Sequence, residues 1–229
     1  MKRKIGLVIA VEQEPFERVY GKPKTKTTLR GFEVSCYERP TYDLYAVSSG
    51  VGEVMGAAST QFLIDHYGVD LILNYGVVGA LEPNAASSSL CLISSVVDYA
   101  FDVSEIDGVE VGRHSEEAGI AIPTDPHLRS LAKEAYPDLP ELVLASGDRF
   151  VGKAKDKAYL HEHFGASLCD MESAGILRTA KRNGVSSLFV KSVADTLFGG
   201  AGEYTEKRDA AAAECAGILD HLMDVLGQK

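Results

Sequence analysis

The stretch YDLYAVSSGVGEVMGAASTQFLIDHYGVDLILN, residues 42–74, passes from an apolar run of strand length through a glycine-rich turn into a helix-length segment, and then into a second apolar run. Within residues 53–67 the apolar positions include Val54, Ala57, Ala58, Phe62 and Leu63, which recur at helical spacing. Working outward, Ile5 to Val11 is a short strand-length run. Glu33 to Tyr37 pairs with Tyr42 to Ser48 as a β-pair turning around Pro40. Further strands are predicted at Asp70 to Asn74, Leu90 to Val97, Leu142 to Ser146 and Ser187 to Val193, and helices at Pro126 to Ala135, Lys155 to His163, Met171 to Asn183 and Tyr204 to Leu226. This alternation predicts a single α/β domain: a twisted, mixed and largely parallel β-sheet flanked by helices, with an antiparallel portion from the early pair. No repeat, low-complexity tract or linker interrupts the 229 residues.

The formal net charge of -10 opposes binding to nucleic acid or an anionic membrane face and leaves small molecules and proteins as partners. The opening MKRKIGLVIAVEQE places basic residues before an apolar run. That run is too short for a secretory signal and ends in acids, so a cytoplasmic location is expected. Cys36, Cys91, Cys169 and Cys215 are dispersed, and the one close histidine pair, His161 and His163, has a spacing that points its members to different helix faces. No metal and no cofactor are expected.

In sheets of this kind ligands bind beyond the carboxyl ends of the strands. The residues there are Glu12 and Glu14; Ser49, Gly50 and Gly52; Asn74 to Gly79; Gly147 to Val151; and Ala194 with Asp195. Asp170, Met171 and Glu172 join them at a helix entrance. Carboxylates and glycines dominate. Gly50, Gly52 and Gly56 only approximate a dinucleotide fingerprint, because they follow the third strand and the last glycine is one position late. A tight turn with close helix packing, or an approach of backbone N–H groups to a small polar ligand, fits them better. Asp170 reads equally well as a helix cap, and Asp195 also has a turn-forming reading.

The segments IGLVIAVEQE, SGVG, NYGVVGAL, SGDRFV, CDMESAGI and VKSVADT, in this order, resemble the nucleoside phosphorylase and nucleosidase superfamily, nearest in likeness to bacterial 5'-methylthioadenosine/S-adenosylhomocysteine nucleosidases. The resemblance covers nearly the whole chain and implies a nucleoside phosphorylase-like fold, a purine nucleoside substrate and a homodimer. It implies Glu14 as the carboxylate that activates water, Glu172 as the holder of the ribose hydroxyls, and Asp195 as the acid that protonates the purine at N7. It further implies Met171 against the sugar, Phe150 stacked on the base, the Val151 backbone at the base edge, and Ile106 of a partner subunit near the 5'-substituent. Cleavage of an N-glycosidic bond builds positive charge on the sugar and negative charge on the leaving base. A carboxylate and an acid are the groups that answer those charges.

Phosphorylases of the superfamily hold phosphate with arginines and a serine of the glycine turn. Here the corresponding places hold Glu12 and Glu14, Asn74 and Val77, which disfavours a dianion and favours water. The chain also departs from the nucleosidases, with Val77 for the turn serine, Lys191 for an arginine, and Ala194 before the acid. ALEPNAASSSLCLIS (80–94) lacks the Val-Gly-Asp that precedes its strand in the family. Losing the hydroxyl and the arginine fork removes potential hydrogen bonds to the attacking water, because Lys does not reproduce a bidentate contact. Two alternatives stay open: a phosphate-dependent phosphorylase, and a nucleoside-binding protein without turnover.

Overall fold

The computed structural model describes residues 2–86 and 90–228. Its first half runs β1 (Arg3–Ile9), α1 (Gln13–Tyr20), β2 (Thr25–Leu29), β3 (Phe32–Glu38), β4 (Tyr42–Ser48), α2 (Glu53–Phe62) with a closing π turn over Leu63–Tyr67, and β5 (Leu71–Ala80). Then come α3 (Pro83–Ala86), β6 (Leu90–Asp98), α4 (Ser104–Asp107), β7 (Ala121–Pro123), α5 (Pro126–Ala135) and β8 (Glu141–Ser146). The chain finishes with α6 (Ala154–Phe164), β9 (Leu168–Asp170), α7 (Ser173–Arg182), β10 (Ser186–Asp195) and α8 (Gly200–Gly227). Residues 87–89, part of the 80–94 segment singled out above, lie outside the described residues.

Strands β4, β1, β5 and β10 lie side by side and parallel, and β3 and β2 extend that sheet antiparallel at one edge. β10 also pairs antiparallel with β6, and β6 leads through β8 and β9 back to β5, so five strands close into a ring. Two successive residues on each central strand point to opposite faces. Leu7, Leu73 and Leu188 pack with Leu219 and Met223 of α8, whereas Val8, Ile72 and Phe189 pack with Ile176 and Leu177 of α7. Each such side chain removed from water contributes roughly 1.5–3 kcal/mol.

The α/β domain with a mixed sheet is as the sequence predicts, and α5 has the predicted limits. Asp125 starts α5 by accepting N–H groups of His127 and Leu128 at 2.9 and 3.1 Å, and Pro126 occupies the first turn, where its missing N–H costs nothing. The short elements α3, α4, β7 and β9 were not predicted, and three more differ from expectation. Helix α1 follows β1 directly and carries Pro15 in its first turn, where proline is tolerated. β2 is a polar, exposed edge strand with no apolar alternation to betray it. β5 runs on through NYGVVGA to Ala80, so Val77 to Gly79 are strand residues and not a loop after the strand. The histidines of α6 diverge as their spacing demands: His161 faces the carbonyl of Ala166, and His163 stacks on Tyr159.

Candidate active site

β9 crosses the last residues of β5 antiparallel, with Gly79 beside Cys169, and runs parallel to β8, with Ser146 beside Asp170. This crossing brings the carboxyl ends of β8 and β9 to those of β5 and β10. The result is a pocket with about 540 Å³ of empty space, the open solvent at its mouth included. Its wall includes Val11 and Glu12 after β1, Val51 after β4, Val77 to Gly79 of β5, Phe150 and Val151 after β8, Met171 and Glu172 after β9, Asp195 of β10 and Tyr204 of α8. Phe150, 43% exposed, stands edge-on to Tyr204 with ring centroids 5.4 Å apart.

Glu172, Asp195, Met171, Phe150, Val151 and Val77 are therefore brought together as expected, and two expected residues, Glu14 and Lys191, are not. Glu14 lies on the exposed side of the first turn of α1 and does not line the cavity. The carboxylate that enters from this segment is Glu12, 4% exposed, which accepts N–H groups from Val11 at 3.0 Å and Val77 at 3.3 Å. β1 ends at Ile9 and α1 starts at Gln13, so Glu12 is the last residue before the helix and still faces the cavity, while Glu14 has already turned away with the helix. Lys191 also stays out of the wall. Its fully buried ammonium is taken up by Asp170 Oδ2 at 2.9 Å. Ile106 sits on α4, 87% exposed and away from the cavity of its own chain.

The carboxylates differ in what surrounds them. Burial opposes ionisation of Asp170, but the Lys191 ammonium and the hydroxyls of Ser146 and Ser173 hold it below the usual carboxylate range. Asp170 also accepts the N–H of Ser173 at 3.2 Å, so it helps to cap α7 and pairs with Lys191 at once. Glu172 is the non-helical residue before α7 and does not cap it, which leaves its side chain to accept the N–H of Gly52 at 2.9 Å. Gly52 reaches it with φ of 109°, a left-handed conformation that side chains rarely adopt. Burial first, and then the Asp170 charge, push Glu172 up to about 7. Behind them Glu53, pushed to about 8 by burial and Asp170, lies 2.5 Å from the Ser146 hydroxyl.

Burial also raises Asp195, against the pull of Lys157. Lys157 is 0% exposed, donates to Asp195 Oδ2, and donates to the Thr196 carbonyl at 2.7 Å. Gly79 makes room for this carboxyl: a Cβ there would lie 3.1 Å from Asp195 Oδ1. Sequence reading missed Lys157, although a signal was present. With Leu160 and Phe164 it forms the buried i, i+3, i+7 stripe of α6, a place where an unpaired charge is not tolerated. Among the described residues no group of three or more His, Cys, Asp or Glu side chains is placed to hold a metal ion, and no helix is long and apolar enough to cross a membrane.

A sequence profile described as the phosphorylase superfamily matches residues 4–224. The chain belongs to this superfamily. A 5'-methylthioadenosine/S-adenosylhomocysteine nucleosidase of Shewanella halifaxensis is 28% identical over 199 residues, covering 84% of this chain and 86% of that protein. An aminodeoxyfutalosine nucleosidase of Helicobacter pylori is 29% identical over 233 residues, covering 98% of this chain and 100% of that one. The crystal structure of a Helicobacter pylori 5'-methylthioadenosine/S-adenosylhomocysteine nucleosidase superposes with a TM-score of 0.91 at 27% identity, over 97% of this chain and 98% of that one. The superfamily includes phosphorylases and nucleosidases, so the wall of this cavity decides which chemistry it suits.

Proposed function

We propose that the protein is a purine nucleosidase that breaks the N-glycosidic bond with water, most readily in 5'-methylthioadenosine or S-adenosylhomocysteine, releasing adenine. The observation that carries this reading is a cavity wall with carboxylates at Glu12, Asp170, Glu172 and Asp195 and, among the described residues, one cation, Arg149, which is itself paired with Asp156. The two buried lysines nearby are engaged behind the wall by Asp170 and Asp195. A phosphate dianion would meet like charge here, whereas neutral water would not.

In this reading the departing base stacks between Phe150 and the wall at Val151, and Met171 packs against the sugar. Glu172, when ionised, accepts the ribose hydroxyls and stabilises the positive charge that develops as the bond to the base stretches. Glu12 takes the role first assigned to Glu14: it accepts a proton from the attacking water, since it is the carboxylate of that segment inside the cavity. Asp195 delivers a proton to the base. Ile106 belongs to the 5' end of a partner's cavity in a homodimer.

The full-length match to an aminodeoxyfutalosine nucleosidase supports a second substrate, aminodeoxyfutalosine, cleaved by the same chemistry. Incubating each nucleoside with the protein, with and without phosphate, tests both. Free base and free sugar without a phosphate requirement are expected; sugar 1-phosphate overturns the hydrolase, and tight binding without product points to a binder. Asp195→Asn is expected to lower kcat by about 10²–10⁴-fold while substrate affinity, measured by calorimetry, stays within a few-fold. Full activity in that variant removes Asp195 from the mechanism.

A further inference from the structure

Among the described residues, Lys157 alone combines full burial, a cationic side chain and direct contact with the proposed acid. Helix α6 carries it under the end of β10, where its ammonium donates to Asp195 Oδ2 and to the carbonyl of Thr196. Nothing on its own helix requires a charge there, since its stripe partners Leu160 and Phe164 are apolar. An apolar side chain of similar length would fill the space without the cost of dehydrating an ammonium. The other ionisable groups that face the pair are Glu203 of α8, which accepts the N–H and hydroxyl of Thr196, and Cys169 of β9, whose thiol burial pushes up to about 12. β5 passes Asp195 at Gly79. Asp170 is paired with Lys191, while Glu12, Glu172 and Tyr204 line the cavity beyond.

We propose that Lys157 is the positioning residue and proton store of the leaving-group acid, holding the proton that passes through Asp195 to the departing base. This rests on the nucleosidase reading above. As the bond between sugar and base breaks, its electron pair goes to the base. A proton moves from an Asp195 oxygen to the base nitrogen, and one moves from Lys157 Nζ to Asp195 Oδ2. The attacking water gives its oxygen and one hydrogen to the sugar and its second proton to Glu12. Once the products leave, Glu12 loses that proton to solvent and Lys157 regains one through Asp195, so the cycle is balanced. The pair carries one transferable proton while Asp195 stays held in one orientation by the ammonium.

The test is kcat against pH for the wild type, Lys157→Met and Lys157→Arg, with melting temperature and KM read in parallel. The wild-type profile is the reference for both variants. In Lys157→Met the proton must reside on Asp195 alone, so kcat near pH 5 stays within a few-fold of wild type and falls about tenfold per pH unit at higher pH. Lys157→Arg keeps the charge and the orientation but has a group that does not release its proton. Its kcat is expected to drop by about 10²-fold or more at every pH, with KM little changed. A uniform loss in Lys157→Met with no displaced limb, or near wild-type kcat in Lys157→Arg, overturns the proposal and leaves Lys157 a structural charge. If Lys157→Met does not fold, Lys157→Arg decides alone. A wild type that releases base from no purine nucleoside overturns the functional reading itself, and this inference with it.

Discussion

Two glutamates separated by one residue have opposite fates at the end of β1. Glu12 accepts backbone N–H groups inside the cavity and Glu14 faces solvent. Glu12→Gln is therefore expected to lower kcat by about 10²–10⁴-fold, as loss of a general base does. Glu14→Gln should leave stability within about 0.5 kcal/mol and turnover unaltered in the same assay; the opposite ranking returns the role to Glu14. Glu172 has a signed consequence for stability. Its folded value of about 7 lies above the ordinary glutamate value of 4.5, so the neutral form is favoured in the folded chain. Any stability tied to that protonation is complete below about pH 4.5 and is lost as pH rises through about 7. Glu172→Gln mimics the neutral acid, and should match wild type near pH 4.5 yet exceed it by up to roughly 3 kcal/mol near pH 8.5 in denaturant melts. Equal stability of the two proteins at both pH values would show that Glu172 ionises without cost. With Glu172 in the proposed role of ionised acceptor for the ribose hydroxyls, kcat/KM is expected to rise through about pH 7.

At the scale of elements, the crossing of β9 over the end of β5 sets the distance between the acid and the rest of the wall. Gly79 is the contact point, since a Cβ there would press on Asp195 Oδ1 at 3.1 Å and Cys169 Sγ at 3.2 Å. Gly79→Ala is expected to cost about 1–3 kcal/mol of stability through overpacking. It should also reduce kcat by about tenfold or more, because misplacement of a reacting group by less than 1 Å is enough to lose rate. Unchanged kcat in a folded Gly79→Ala variant would mean that β9 yields and Asp195 does not. The same crossing explains why Val77 acts through its backbone: its N–H holds Glu12, so the missing turn hydroxyl leaves this contact intact. It also shows why an amine suffices at Lys191, where the partner is Asp170 within a network of hydroxyls.

At the scale of the whole molecule, the cavity opens beside exposed apolar side chains at Val11, Val51 and Phe150. If the homodimer is the working form, light scattering should give twice the 24.6 kDa chain mass. Ile106→Asp, at a side chain 87% exposed in the single chain, should then shift the mass toward one chain and raise KM. A wild-type mass of one chain with full activity would remove the partner from the site.

The strand and helix periodicities were readable because burial on a sheet or helix face imposes a repeat on the chain, and α5 carried its start signal at Asp125 and Pro126. The acids Glu172 and Asp195 were readable for the same reason, since strand ends face the ligand side of such a sheet. α1 and β2 were hidden because one is short with an early proline and the other has no buried face. The sequence by itself determined the α/β order, the acidic rim and the kinship. Only the tertiary structure decided that Glu12 and not Glu14 enters the cavity, that Lys191 belongs to Asp170, and that Lys157 stands behind Asp195. The reason is physical: local spacing dictates which way a side chain leaves its own element, whereas the partner of a buried charge is chosen by another element packed against it, here α6 and β9 meeting β10.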